Sequence, residues 1–367
     1  MASRRVSSAR GSALPITGQV LPVPSARDIP VEAARILDVF PGASLVVTGQ
    51  GAVMRASARA EAMGLVRRDM LAVTEMRDLV EQSAADGRPR ERDMRVRRPP
   101  LGRGLLDLRV LVGPLSPGLL VVLVEDMSEE RLVDAVRRDF VANVSHELKT
   151  PVGALTLLAE AIASAADDPG EVRRFAGRIQ VEAERLASLI NDIIDLTRLQ
   201  GDDPLSHAVP VEADRVVQQA VDEVRTLASA REIEILVSSD PGRYILADRD
   251  QVVMALRNLL VNALAYSSSH TRVAVAVGED HGFVTIDVKD EGVGIPPHDL
   301  DRVFERFYRV DQARSRGTGG TGLGLAIVKH VCQNHGGECR VWSEVGVGST
   351  FTLRLPRVET PAEETAS

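Results

Sequence analysis

The chain has 367 residues, with 44 Lys and Arg against 52 Asp and Glu, a formal net charge of −8. That balance excludes a dedicated nucleic-acid binder, which would show a basic face and a high pI. A hydrophobic content of 44% with 26% charged residues excludes wholesale disorder. Aromatic residues make up only 3%, so the cores must be built from Leu, Val, Ile and Ala. Cys332 and Cys339 are the two cysteines, too few for a disulfide framework or a four-ligand zinc site. They suit a reducing compartment and read as packing residues. The longest uncharged stretches, 11–26 and 39–54, are sixteen residues each and contain proline. A membrane span needs about 20 mostly apolar residues. Arg4, Arg5 and Arg10 precede no apolar core of a secretory signal. As given, the chain is expected in the cytoplasm, with membrane association where the native gene product carries an upstream span.

In chain order, residues 1–30 are rich in Ser, Pro, Gly and Arg and read as a disordered lead-in. Residues 31–127 read as a small α/β module. The segment 44–57 is a strand, a Gly-flanked turn and a second strand; 59–85 is mostly short helices; 92–98, 104–113 and 118–126 are three more strands. Five strands with helices inserted after the second resemble a PAS sensor domain. The eight arginines between 88 and 109 read as charged decoration of exposed sheet faces, the alternative being an anion or partner surface.

Residues 128–200 read as two long helices, ended by Gly201 to Pro204, so that the hairpin spans 128–204. Phe140, Val144, Leu148, Val152, Leu155, Leu158 and Ile162 recur at three- and four-residue steps and form one apolar stripe. Asp167 to Gly170 break the helix. Phe175, Ile179, Leu186, Leu189, Ile193 and Leu196 repeat the pattern in the second. A two-helix hairpin cannot bury such a seam alone, and two copies forming a four-helix bundle is the expected solution. The span 205–357 alternates helical patterns at 211–230, 249–266 and 322–335 with strands near 233–237, 272–277, 283–289, 338–343 and 350–355, and 358–367 reads as a disordered tail. The fold class is therefore multidomain α+β.

Four elements carry chemistry. In FVANVSHELKTP (140–151), His146 lies about 240° round the helix from Phe140, nearly opposite the seam. A solvent-facing His on a rigid helix can act as a nucleophile, and Glu147 is a carboxylate able to orient it. Pro151 is expected to kink the helix one turn later. Asn258 and Asn262 stand at i, i+4, on one helix face, and an amide oxygen is a hard ligand suited to Mg²⁺. In DEGVGIP (290–296), Asp290 ends a strand with a carboxylate that could accept a bond from an amino group such as adenine N6, and Gly292 and Gly294 permit a tight turn. GTGGTGLGLAIVKH (317–330) is a Gly-rich loop opening a helix, a phosphate-binding arrangement. A dinucleotide-binding loop would follow a strand directly; here a helix-like segment, DLDRVFERFYRVD, precedes it, so that reading fails. His270, His281, His298, His330 and His335 lack metal-ligand spacing and read as surface or loop residues.

The order and spacing of these elements resemble the sensor histidine kinases of bacterial two-component systems, over about residues 130–357. VSHELKTP resembles the family's H box, NLLVNALAYS its N box, DEGVGIP and TGGTGLGLAIVKH its glycine boxes, and FERFYRVD its F box. Within the family the sequence looks most like actinobacterial phosphate-regulon sensor kinases. The resemblance implies a dimerisation and phosphotransfer hairpin joined to an α/β-sandwich ATP-binding catalytic domain. It implies His146 as the phosphoacceptor, Glu147 as its activator, and Thr150 as an aid to a reverse phosphatase reaction. Asn258 and Asn262 would contact phosphates and Mg²⁺, with Asn262 the metal ligand. Tyr266 would stack near adenine and Asp290 hold its amino group. Gly292, Gly294, Gly320, Gly322, Leu323 and Gly324 would shape the base and phosphate sites, and Phe304 and Phe307 would anchor a lid over 308–321. The cofactors implied are ATP and Mg²⁺; the partners are a second copy of the chain and a response regulator, with no direct nucleic-acid binding. Ala265 stands where many members have Lys, and the membrane spans usual in phosphate-sensing members are missing here. Two competing readings remain at this stage: a non-kinase ATPase of the same nucleotide-binding fold, and a scaffold with a dead kinase.

Overall fold

The computed structural model describes residues 29, 35, 37–97, 105–201, 205–239, 241–310 and 320–359. The chain forms two compact units, Met1–Arg138 and Asp139–Ser367. The expected lead-in apart from Ile29, most of the tail and residues 311–319 of the expected lid lie outside the described residues.

The first unit is built on a five-stranded antiparallel sheet. Its strands are β1 (Ala43–Thr48), β2 (Val53–Ala56), β5 (Arg90–Arg97), β6 (Leu105–Ser116) and β7 (Leu119–Asp126), in the order β2-β1-β7-β6-β5. Between β2 and β5 come α1 (Ala58–Ala62), a small hairpin of β3 (Val66–Arg67) and β4 (Met70–Leu71), and α2 (Thr74–Asp86). Ser57 caps α1, its hydroxyl accepting from Ala60 N. The period-two alternation of β6 and β7 sends Leu108, Val110, Val112, Leu120, Val122 and Val124 inward, against Met76, Leu79 and Val80 of α2. Three of the arginines between 88 and 109, together with Arg131, pair with neighbouring acids. Arg90 meets Asp86, Arg109 meets Glu91 and Asp93, and Arg95 and Arg131 both hold the largely buried Asp107. The Arg95 bond comes first among the causes that hold the Asp107 carboxyl below its ordinary value.

α3 (Ser128–Ser164) carries the chain from the first unit into the second, where α4 (Pro169–Leu199) follows after a short turn. Asp168 caps α4 through Oδ1, which accepts from Gly170 N and Glu171 N, and Pro169 occupies the first turn, where its missing N–H costs nothing. Pro151 lies inside α3, which runs through it as one helix.

The rest of the second unit is a two-layer sandwich. Its sheet runs β8 (Val209–Glu212), β10 (Tyr244–Ala247), β14 (Gly348–Val358), β12 (Phe283–Lys289), β11 (Arg272–Asp280), β9 (Glu234–Ser238), with β13 (Glu338–Glu344) also paired to β14. Only the β9–β11 pair is parallel among the described ladders of this sheet. Three helices cover one face: α5 (Ala213–Ala230), α6 (Arg249–Tyr266) and α7 (Gly324–Asn334). Val273, Val275, Val284, Ile286, Val288 and Leu353 meet Val217, Val224, Leu256, Leu260, Ile327 and Val331 in one core. Leu189, Leu196 and Leu199 of α4 belong to that same core, so the helical region and the sandwich are packed together.

Three expectations are corrected. Residues 300–307, read as helix-like, form a run of turns after a 3₁₀ turn at Pro297–Asp299. β14 extends to Val358, into the span read as tail. Of the histidines read as surface or loop residues, His335 lies in the turn after α7 but is buried, and His330 lies on α7 itself. His335 is 5% exposed, and its Nδ1–H donates to Val331 O while Nε2 accepts from Asp248 N, the N-cap residue of α6. His330 is half-buried and accepts from Arg306 Nη2 at 3.1 Å.

Candidate functional site

His146 projects from α3 with its side chain 80% exposed, and its Nδ1 lies 3.9 Å from Glu147 Oε1. The stripe opposite it is not fully covered in the single chain; Val152 is 50% exposed. Thr150, one turn further on, donates its hydroxyl to the His146 carbonyl at 3.3 Å.

The Asn, Asp and Gly motifs converge at one end of the sandwich. Asn258 and Asn262 sit on α6, whose first turn is capped by Asp248 Oδ1 accepting from Asp250 N and Gln251 N. Asn258 Nδ2 is buried with no hydrogen-bond partner. Its Oδ1 would lie 3.2 Å from a Cβ added at Gly324, so the amide abuts the first turn of α7. A buried amide N–H left unpaired is costly, and a bound ligand oxygen would satisfy it. Asn262 is half-buried on the same helix.

Asp290 follows β12 and is 6% exposed. Its Oδ1 accepts from Gly292 N at 2.8 Å and Ser349 N at 3.2 Å. Both bonds fall on one oxygen, which leaves Oδ2 for an incoming donor. Burial pushes the carboxyl above its ordinary value, opposed by the two backbone bonds. Gly292 forms a bridge with Ser267, beside Tyr266, whose ring is partly exposed. Gly294 takes φ +72°, and a Cβ there would lie 2.1 Å from Glu344 O, so only glycine fits.

The phosphate-type loop reaches α7 through Thr321, Gly322 and Leu323. Thr321 Oγ1 accepts from Leu323 N at 3.2 Å, and Gly322 O accepts from Phe307 N at 2.8 Å. Gly322 has φ +75°, with Phe307 backbone within 3 Å of any added Cβ. Gly320 opens this described stretch. Phe304 packs edge-on against Phe351 of β14, with ring centroids 6.3 Å apart, so the segment before the loop is rooted in the core.

Asn258 is thus brought against Gly324, and Tyr266 and Asp290 meet at Gly292, while Asn262 shares α6 with Asn258 and Tyr266. His146, Glu147 and Thr150 are not joined to them by any recorded hydrogen bond or ion pair among the described residues. No group of three His, Cys, Asp or Glu residues able to hold a metal occurs among the described residues. A divalent cation here would depend on Asn262 and on ligand phosphates. The residues fit a nucleotide: an orphaned buried amide, a half-used buried carboxylate and a glycine-lined helix start.

Sequence reasoning missed a set of contacts that tie the sandwich to the helices. Thr321 Oγ1 donates to Asp192 Oδ2 at 2.5 Å, and Asn334 Nδ2 donates to Leu199 O at 2.9 Å. Phe307 rests on Phe140, centroids 6.0 Å apart, and the Arg306 guanidinium lies 5.4 Å from the Phe140 ring. Phe140 was legible only as a seam residue. No local pattern marks Asp192 or Asn334.

Comparison with known proteins agrees with the site. The family of histidine kinase-, DNA gyrase B- and HSP90-like ATPases matches residues 247–359. The His Kinase A (phospho-acceptor) domain matches residues 136–202. The sensor-like histidine kinase SenX3 of Mycolicibacterium smegmatis is 50% identical over 241 residues, 66% of this chain and 63% of that protein, so the match spans just under two thirds of the relative. The sensor-like histidine kinase SenX3 of Mycobacterium tuberculosis is 43% identical over 325 residues, 88% of this chain and 79% of that protein. Among solved structures, histidine kinase ThkA in complex with response regulator protein TrrA has a TM-score of 0.51 over 88% of this chain and 98% of that one, at 16% identity, a likeness of fold.

Proposed function

The chain belongs to the sensor histidine kinases of two-component systems, and from that premise we propose that it transfers the γ-phosphoryl group of ATP to His146 and then to an aspartate of a response regulator. The observation that carries this is the buried, unpartnered Nδ2 of Asn258 at the start of α7, in the same unit as a nearly fully exposed His146. A lone pair on a His146 ring nitrogen forms the N–P bond as the bond from the γ-phosphorus to the bridging oxygen breaks. ADP leaves with that electron pair, and the proton on the other ring nitrogen passes to the Glu147 carboxylate.

Asp290 Oδ2 receives the adenine amino group, Gly292 and Gly294 shape the base pocket, and Tyr266 flanks it. Backbone N–H groups from Gly320 to Gly324 and the amides of Asn258 and Asn262 neutralise phosphate charge. Asn262 Oδ1 would hold Mg²⁺, which would supply charge neutralisation at the phosphates when bound. Thr150 serves the reverse, phosphatase reaction on the regulator.

The sensor is the PAS-like module, residues 31–127. A five-stranded antiparallel sheet with helices inserted between β2 and β5 supports that reading. Two copies pair through α3 and α4; the exposure of Val152, Val181, Ile190 and Ile194 in the single chain supports a four-helix bundle. Resemblance to phosphate-regulon kinases points to phosphate as the stimulus. Among the described residues no helix is long and apolar enough to cross a membrane.

The test is incubation with γ-labelled ATP and Mg²⁺ beside His146→Gln. Label that is stable to base, lost in acid and absent from the variant is the expected result. ATP hydrolysis with no protein label would refute the kinase reading.

A further inference from the structure

The turn that carries Asp290 is tied down by a hydroxyl from outside the nucleotide motifs. Ser343 lies on β13, directly opposite Ser349 of β14. Its Oγ accepts from Ile295 N at 2.8 Å, donates to Gly348 O at 3.0 Å and lies 2.9 Å from Ser349 Oγ. A serine hydroxyl has one proton and two lone pairs. With its proton on Gly348 O, Ser343 accepts from the Ser349 hydroxyl, and all its hydrogen-bonding positions are in use. Ser349 is 5% exposed; its N–H donates to Asp290 Oδ1 at 3.2 Å and its carbonyl accepts from Asp290 N at 2.9 Å. One side chain therefore joins Ile295, near the end of the 290–296 turn, to the strand that holds Asp290 at its start. The next residue, Glu344, completes the same wall, since its carbonyl is the atom that leaves no room for a Cβ at Gly294.

Resting on the nucleotide reading above, we propose that Ser343 is a positioning residue for base recognition: its hydroxyl sets where the 290–296 turn lies against β13 and β14, and so where Asp290 Oδ2 stands to receive the adenine amino group. It acts through Asp290 and Gly294, not by contact with the base. Removing Oγ orphans Ile295 N and Gly348 O, and the turn must shift or admit water to satisfy them. The other ties of the turn do not reach Ile295 N: Gly292 N and Ser349 N end on Asp290 Oδ1, and Gly346 N ends on Val293 O. Ile295 is then held by its apolar side chain alone, packed on the sandwich core. A hydrogen bond weakens steeply as its angle and length depart from the optimum, so a small shift of the carboxylate costs the base contact. The phosphate contacts belong to α6 and the start of α7, which Ser343 does not touch through any recorded bond among the described residues.

The experiment measures Kd by calorimetric titration for ATP and for purine riboside triphosphate, which carries hydrogen in place of the adenine amino group and so gives Asp290 no donor there. The proteins are the full chain, Ser343→Ala, Ser343→Thr and Ser349→Ala, each with thermal unfolding recorded without ligand. The wild type is expected to bind ATP more tightly than the purine analogue. One net hydrogen bond corresponds to about a threefold to tenfold change in affinity, so Ser343→Ala is expected to raise the ATP Kd by about that factor and to move the analogue's Kd by less than about twofold. Ser343→Thr keeps the hydroxyl and is expected to restore the preference for ATP. Ser349→Ala keeps the N–H to Asp290 and removes one of the three bonds of Ser343; it is expected to move the same way by less, and it carries the test where Ser343→Ala does not fold. A folded variant that weakens both nucleotides equally, or neither, overturns the role of Ser343 and leaves the base contact standing. A wild type that binds the two nucleotides equally, or binds neither, overturns the base contact and the role of Ser343 with it.

Discussion

Asp290→Asn isolates the base contact from the loop it supports. In the wild type, Oδ1 accepts two backbone N–H groups, Gly292 N at 2.8 Å and Ser349 N at 3.2 Å, in a site 6% exposed. An amide oxygen can keep both bonds, which forces the NH₂ group into the position of Oδ2. Adenine N6 presents its own N–H there, so donor faces donor. The alternative rotamer restores an acceptor for the base but points NH₂ at two buried backbone donors, at about 1–3 kcal/mol for each orphaned group. Either way the nucleotide loses a bond to a charged acceptor, about 1.5–3 kcal/mol, which is a tenfold to hundredfold rise in Kd. Folding stability without nucleotide is expected to hold, because the neutral amide also relieves the burial that raises the Asp290 carboxyl above its ordinary value. Calorimetric titration with ATP gives Kd, and thermal unfolding without ligand gives the control. The pH profile adds a second readout: as pH falls through the raised Asp290 value, Oδ2 gains a proton and ceases to accept. Wild-type affinity therefore weakens in acid while that of Asp290→Asn stays flat in the same window. An ATP Kd within twofold of wild type, with the fold intact, would refute this account of base recognition.

The other predictions concern the frame around the site. Burial lowers the His335 pKa, opposed by its bond to Val331 O and by Asp248. Its folded value lies below the unfolded one of about 6.5, so its contribution to stability is present above that pH and lost as pH falls below it. Denaturant unfolding from pH 7.5 to 5.5 is expected to show this loss, and His335→Gln to flatten part of it; His330, lowered mainly by burial and then by Arg306, contributes in the same direction. An unchanged slope in His335→Gln would count against the assignment. Gly294 and Gly346 both have positive φ, +72° and +82°, but an added Cβ meets Glu344 O at 2.1 Å in the first and open space in the second. Gly346→Ala is expected to cost the left-handed backbone term alone, about 1–2 kcal/mol. Gly294→Ala should cost more and also weaken ATP binding, since Glu344 must move. Equal unfolding midpoints for the two variants would show that the close approach carries no energy.

What the sequence made legible, and what it did not, divides by range. The long helices announced themselves because their apolar positions repeat over many turns, and β11, β12 and β14 because a half-buried strand alternates. β8 and β10 escaped notice: they have four residues each, and Pro210 makes the first resemble a linker. In the sheet, Pro210 is tolerated because β8 is an edge strand, paired only with β10. The turns at 300–307 imitate a helix because Val303, Phe304 and Phe307 have helical spacing. They are pinned instead by Phe304 on Phe351 and by Phe307, a non-glycine residue at φ +63° whose N–H goes to Gly322 rather than to its own segment. The nucleotide residues were readable because each motif is local: an i, i+4 amide pair, a carboxylate before a glycine turn, glycines before a helix.

The contacts that join these parts have no such local signature. Asp192 and Thr321 are 129 positions apart, and Asn334 and Leu199 are 135 apart. On a helical wheel Asp192 is an ordinary polar residue beside an apolar seam, and Thr321 is one more small residue in a loop. Their meaning arises only when the sandwich closes on α4 and buries Leu196 and Leu199 in its own core. The same closure explains why the reactive pair can be placed by sequence while its pairing cannot. His146 and the nucleotide residues are each prepared locally, one exposed on a rigid helix and the others converged at the sandwich edge. The packing of the sandwich against α4 rests on a third group of residues, Asp192 with Thr321 and Leu199 with Asn334, that no local pattern announces.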